Sequence, residues 1–209
     1  FPQFPPRQKD DIYYDQLATE ITLLLKAACG HALVLFTSYA AMSAVKERLA
    51  EKDLPWPVFT LGRNALHTTE QFKASPGSIL LAAGAAWEGF DFPGDCVSLL
   101  VIPKLPFAQP DALTEKLKES YPNLHSFIKA VVVPEMQIKL KQGFGRAIRT
   151  ETDTCVIAVL DERAVPEGRY FCDVLLALPE MRITRELRDV EDFIHSVKEP
   201  VYFQDYQNN

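Results

Sequence analysis

Nowhere in its 209 residues does the sequence place a lysine after a glycine, so the G-x-x-x-x-G-K-[ST] loop that cradles nucleotide phosphates is missing. It also lacks G-x-S-x-G and H-E-x-x-H, and His31, His67, His125 and His195 stand far apart, which leaves a self-contained hydrolase site without support. Cys29, Cys96, Cys155 and Cys172 form no C-x-x-C and no cysteine–histidine cluster, so neither a disulfide framework nor a metal centre is indicated. Cys96 and Cys155 border apolar runs and read as small buried hydrophobes. No uncharged apolar run reaches the roughly 18 residues of a membrane span, and "FPQFPPRQKDD" has no signal-peptide apolar stretch. The expectation is a soluble, cytoplasmic protein with no membrane partner. An excess of positive charge is absent too, since the net charge of −6 excludes a wholly basic nucleic-acid coat.

With 47% apolar residues the chain can bury a sizeable core, most simply in one domain. Five apolar runs recur along it: "ALVLFTS" from Ala32, "PVFTL" from Pro57, "SILLAA" from Ser78, "CVSLLVIP" from Cys96 and "TCVIAVL" from Thr154. None alternates, and helical patterns separate them, as expected for strands buried on both faces of a parallel sheet. Asp10 to Gly30 reads as a helix stopped by Gly30, and Ser38 reads as the cap of the helix "YAAMSAVKERLAEK". The predicted fold class is α/β: a doubly wound, mostly parallel sheet with helices on both faces. Residues 1–10 read as a linker from a region upstream and 11–209 as the domain, with a helical insertion over about 104–134. The tail after Met181 is expected to add a strand and the helix "RDVEDFIHSV". In such a sheet ligands gather beyond the carboxyl ends of the strands.

One stretch, "KLKQGFGRAIRT" (Lys139–Thr150), sets Gly143 and Gly145 into an otherwise helical pattern predicted to run from Glu135 to Arg149. Each glycine costs such a helix about 1 kcal/mol relative to alanine. At 100° per residue Gln142, Arg146 and Arg149 share one face, opposite Met136, Leu140, Phe144 and Ile148. Guanidinium forks fit phosphate oxygens, and bare glycines would let a nucleotide or another backbone come near. Lys104 to Arg149 holds eight Lys/Arg against four acids, which allows an anion-binding face. Residue types alone leave a second reading open, in which the arginines are solvated charges and the glycines break the helix.

A second constellation, "GAAWEGFDFPGD" (Gly84–Asp95), follows the "SILLAA" run and puts Glu88 and Asp91 on either side of Gly89 at a strand's carboxyl end. It could hold a ribose hydroxyl, a metal-bound water or a nucleic-acid backbone, or be an ordinary turn around a buried Trp87. "VIAVLDE" ends in Asp161-Glu162 and imitates an acidic magnesium-binding strand end, but no phosphate loop accompanies it.

Together these residues resemble the second RecA-like motor domain of a superfamily 2 DNA helicase of the DinG-type, XPD-like group. "QGFGRAIR" matches that group's motif VI, Q-x-x-G-R-x-I-R, at Gln142, Gly145, Arg146, Ile148 and Arg149. "WEGFDFPG" resembles its motif V, "ALVLFTSY" its motif IV, and "KLPF" (Lys104–Phe107) and "LDER" (Leu160–Arg163) its K-L-P-F and L-D-x-R. The resemblance runs in order from about Ile12 to Pro179.

It implies a RecA-like, P-loop-NTPase-type fold without a Walker A of its own, sharing an ATP site with a first RecA-like domain. That domain would bring the phosphate-binding lysine, most of the contacts to ATP and Mg2+, and, in many relatives, an iron–sulfur cluster outside this sequence. Arg146 and Arg149 would act as arginine-finger residues at the γ-phosphate, joined by Gln142 and Gly145. Glu88, Gly89 and Asp91 would couple nucleotide to DNA movement, and Thr37, Ser38 and Lys104 would contact single-stranded DNA. The implied parent activity is ATP-dependent DNA unwinding, 5′ to 3′, with this part inactive alone. The rival is a degenerate RecA-like module that binds nucleic acid or protein without catalysis. A small-molecule α/β enzyme lacks a nucleophile or cofactor loop.

Overall fold

Apolar side chains on successive residues cannot all face one way along a strand, and the runs noted above resolve into two cores on opposite sides of one sheet. The computed structural model describes residues 11–62, 65–87, 89, 92, 94–148 and 153–206. Its strands are β1 (Ala32–Phe36), β2 (Val58–Thr60), β3 (Ile79–Ala83), β4 (Leu99–Ile102) and β5 (Val156–Val159), in the order β2-β3-β1-β4-β5, every pair parallel. Each lies within one of the five predicted runs.

Register fixes the faces. Ala32, Val34 and Phe36 of β1 align with Ile79, Leu81 and Ala83 of β3, and all six join one core with Leu17, Ile21 and Leu25 of α1 (Asp11–Ala27) and Val45 and Leu49 of α2 (Tyr39–Ala50). The intervening Leu33, Leu35, Leu80 and Ala82 join a second core with Phe72 of α3 (Ala65–Ala74), Trp87, Phe92, Met136 and Leu140. Helices therefore cover both faces, as predicted, and the central strands are buried throughout.

Between β4 and β5 the chain forms α4 (Ala112–Lys118), α5 (Leu124–Phe127), a π turn over Ile128–Val132, and α6 (Val133–Phe144). Pro134 in the first turn of α6 can donate no hydrogen bond to a carbonyl four residues back, and the widened turn before it accommodates the ring. After β5 come α7 (Phe171–Ala177), on the same face as α6, and α8 (Leu187–Val197), whose Val190 and Ile194 cross to the α1 side. The helix expected in the tail is present. The strand expected after Met181 is not: among the described residues the sheet has five strands, and a 3-10 turn over Pro200–Tyr206 follows α8.

Gly30 closes α1 at φ +74°, its N–H bonded to the Leu25 carbonyl, and a Cβ there would stand 1.9 Å from the Gly77 carbonyl oxygen. Left-handed backbone costs a residue with a side chain roughly 1–2 kcal/mol before any clash. Gly30→Ala is expected to lower stability by more than about 2 kcal/mol. An unchanged urea midpoint would contradict this account of the α1–β1 junction.

Candidate nucleotide and nucleic-acid site

The carboxyl ends of the strands hold several of the singled-out residues. Thr37 and Ser38 follow β1 directly, Gly84–Trp87 follows β3 as a 3-10 turn, Lys104 lies just beyond β4, and Asp161 just beyond β5. Ser38 caps α2 as predicted, its Oγ accepting from the Ala41 N–H at 3.2 Å. That hydroxyl keeps its own proton to donate outward.

Trp87 ties three of these segments together. Its indole N–H donates to the Phe36 carbonyl at the end of β1 across 3.0 Å, and the side chain is almost wholly buried. Gly143 of α6 lies against the ring: a Cβ on it would stand 2.8 Å from Trp87 Cζ3 and 3.2 Å from Leu35 Cδ1. The bare face at Gly143 thus receives the chain's own tryptophan, where the expectation was a nucleotide or another backbone. Buried positions Val133, Met136, Leu140, Gly143 and Ala147 mark the inner face of this segment.

Helix α6 ends earlier than predicted. Its last residue is Phe144, Gly145 is the cap at φ −63°, and residues 145–147 turn through bonds from Arg146 N to Gly143 O and Ala147 N to Phe144 O. Two low-propensity glycines weaken the last turn, so the helical wheel does not extend to Arg146. Arg146 is half-buried past the helix end, and its Nε donates to the Gln142 carbonyl at 3.2 Å. Gln142 is half-buried as well. Arg149, Glu88 and Asp91 lie outside the described residues, while Gly89, between the two carboxylates, is exposed.

Gly84, at φ +63°, faces Tyr39, whose Oη would be 2.8 Å from a Cβ there. Tyr39 is 59% exposed beside Ser38. This aromatic at the mouth of the site was not singled out in the sequence, although its place directly after Ser38 was a usable signal.

Beyond β5, the buried Asp161 and the half-buried Arg163 form an ionic clamp. Asp161 accepts from Arg163 Nε (2.9 Å) and Nη2 (2.6 Å), from the Arg163 N–H (3.0 Å) and from the Leu105 N–H (2.9 Å). Burial alone would raise this carboxyl, but the hydrogen bonds from Arg163 and Leu105 outweigh it and hold the pKa below the ordinary carboxylate range. Arg163 also lies over the Phe107 ring at 4.8 Å. The "KLPF" and "LDER" segments are in this way fastened to each other, and both Asp161 oxygens serve that bond. Nearby, burial first and Arg163 second push the half-buried Lys104 ammonium down, with Asp161 opposing. Burial pushes the Cys155 thiol up to about 12, in keeping with an inert structural cysteine.

Compared with known proteins, residues 21–179 match the model of the helicase C-terminal domain family. The chain belongs to that family. ATP-dependent DNA helicase YoaA of Haemophilus influenzae is 32% identical over 197 residues, which cover 93% of this chain and 31% of that protein. ATP-dependent helicase DinG of Mycobacterium tuberculosis is 34% identical over 169 residues, 79% of this chain and 25% of that protein. A solved XPD helicase structure superposes with a TM-score of 0.65 at 23% identity, covering 86% of this chain and 34% of the other, and so shares the fold. This helicase C-terminal domain spans about a third or less of the length of those relatives. Among its described residues no helix is long and apolar enough to cross a membrane.

Two outcomes are expected. Gly143→Ala should cost about 1–3 kcal/mol by forcing Trp87 aside and shift the tryptophan emission; a variant matching wild type in both would refute the contact. For Asp161 the folded pKa is depressed, so its contribution is fully present above the unfolded value of about 3.9 and is lost as pH falls through the folded value. The stability gap between wild type and Asp161→Asn should therefore shrink below about pH 4. A gap that stayed constant on acidification would contradict the assigned ionisation.

Proposed function

We propose that this chain is the C-terminal motor half of an ATP-dependent DNA helicase, completing an ATP site together with a first RecA-like domain and contacting single-stranded DNA. The observation that carries the reading is the placement of Arg146 on the turn that ends α6, three residues after Gly143, which packs against Trp87 beyond β3, and anchored through its Nε to the Gln142 carbonyl. A guanidinium held on a turn at a domain's edge can reach a phosphate supplied from outside, and an arginine finger of this kind is worth roughly 10³–10⁵ in rate. Arg149 would be its second fork and Gln142 and Gly145 its neighbours at the γ-phosphate. Fixing the guanidinium beforehand lowers the cost of orienting it as charge builds on the transferring group.

ATP and its Mg2+ would be held mainly by the other motor half; among the described residues no three or more His, Cys, Asp or Glu converge as a metal site. Glu88, Gly89 and Asp91 would link the nucleotide to the nucleic-acid path. Thr37 and Ser38, at the amino end of the 12-residue helix α2, present a hydroxyl and helix N–H groups suited to a DNA phosphate. Lys104 would add a cation to the same edge. The names of the relatives support ATP-driven action on DNA, and a cytoplasmic setting accords with it.

The test is ATP turnover by the full-length protein, with and without single-stranded DNA, for wild type and Arg146→Ala. Turnover stimulated by DNA and reduced at least about 10³-fold in the variant is expected. An unaffected variant would refute the role of Arg146, and absence of turnover in wild type would favour the non-catalytic binding module.

A further inference from the structure

Among its described residues the connection from β3 to β4 has no α-helix. It passes from the carboxyl end of one strand to the amino end of the other with short 3-10 turns at Gly84–Trp87 and Gly94–Cys96, and it carries the exposed Gly89 between them. A crossover without a helical hydrogen-bond ladder must be held at its ends by other groups. Trp87 holds the upper end.

The lower end is held by the chain's last segment. Lys198, directly after α8, has a side chain only 2% exposed, and its Nζ donates to Asp95 Oδ1 (2.6 Å), Thr154 Oγ1 (2.7 Å) and the Thr154 carbonyl (3.0 Å). An ammonium this buried persists only where acceptors replace its water. The backbone of Asp95 is gripped as well, since its carbonyl lies 2.8 Å from His31 Nδ1. A carbonyl can only accept, so Nδ1 carries the hydrogen. Tyr202 stacks on the His31 ring at 4.0 Å and donates its hydroxyl to the Ala28 carbonyl at 2.6 Å. Residues before β1, β4 and β5 thus converge with the C-terminal segment on one point of the crossover.

We infer that Lys198 is a positioning residue that pins the lower end of the β3–β4 crossover through Asp95, so that the C-terminal segment sets how stiffly this crossover responds to nucleotide and DNA. The functional half of this inference rests on the motor reading above; the mechanical half does not. Lys198 acts through Asp95 and touches no substrate. Trp87 fixes the other end of the crossover against β1 and α6, so Asp95 and Trp87 are its two described anchor points.

The experiment uses the full-length protein carrying Lys198→Met, which keeps the aliphatic stem and loses the charge, and Tyr202→Phe, which keeps the ring stack. The control is Arg182→Ala, on the same segment, where an 81% exposed guanidinium pairs with Asp189 at 3.2 Å. Hydrogen exchange and ATP turnover are both read. Lys198→Met should speed exchange over residues 84–98 by about tenfold, Tyr202→Phe less, and Arg182→Ala not at all. The ratio of DNA-stimulated to DNA-independent turnover should fall several-fold in Lys198→Met with KM for ATP unchanged. Unchanged exchange in the crossover overturns the inference, as does a uniform rise across α1, β1 and β5, or faster crossover exchange with undiminished stimulation. Lack of DNA stimulation in wild type would strike the motor reading instead, and exchange alone would then decide whether Lys198 holds the crossover.

Discussion

Trp87 makes a single hydrogen bond to the Phe36 carbonyl, and the relation of three separate segments depends on it. The carbonyl belongs to the last residue of β1, the indole to the turn after β3, and the space beside the ring to Gly143 of α6. A buried indole brings a large apolar area together with one N–H that must find an acceptor, so its orientation is fixed more tightly than a phenylalanine's would be. The glycine penalty in α6, about 1 kcal/mol, is offset by the close approach that it permits. Shape complementarity here sets where the end of α6 can lie.

Ending α6 at Phe144 has a consequence for Arg146. On a continuing helix its guanidinium would sit on a face fixed by helical geometry; on the turn after Gly145 it is carried by a short backbone excursion and steadied through the Gln142 carbonyl. A second support, beyond β5, comes from Asp161, which bonds the backbone of Leu105 and the side chain of Arg163 at once. Both devices use buried polar groups whose partners are satisfied, which is the condition under which such groups specify an arrangement instead of loosening it.

Much of this architecture was legible in the residues. Unbroken apolar runs such as Ile79–Ala83 admit few structures other than a strand covered on both faces, and all five strands were placed. Ser38 announced its helix through a local side-chain bond, and Gly30 its stop at a left-handed turn shared with Cys29 and His31, where Gly30 alone packs too closely on Gly77 to carry a side chain. The reading of Glu135–Arg149 as one helix ran too far because periodicity carries no penalty for Gly143 and Gly145, whereas two low-propensity residues close together weaken the last turn and the helix ends at Phe144. The extra strand expected after Met181 is absent among the described residues, where residues 182–186 lead into α8 without pairing with the sheet.

The sequence by itself determined the two-sided sheet, the helices that cover it and the spacing of the motif residues, because strand burial, capping and turn formation are decided within a few neighbouring positions. Only the tertiary structure decided that Trp87 fills the bare face of Gly143, that Asp161 binds "KLPF" to "LDER", and that Lys198 reaches Asp95 across 103 residues of chain. Those contacts join segments with no local pattern in common. Their partners are chosen by whichever buried donor and acceptor the folded core brings within bonding distance, and that choice exists only once the core has closed.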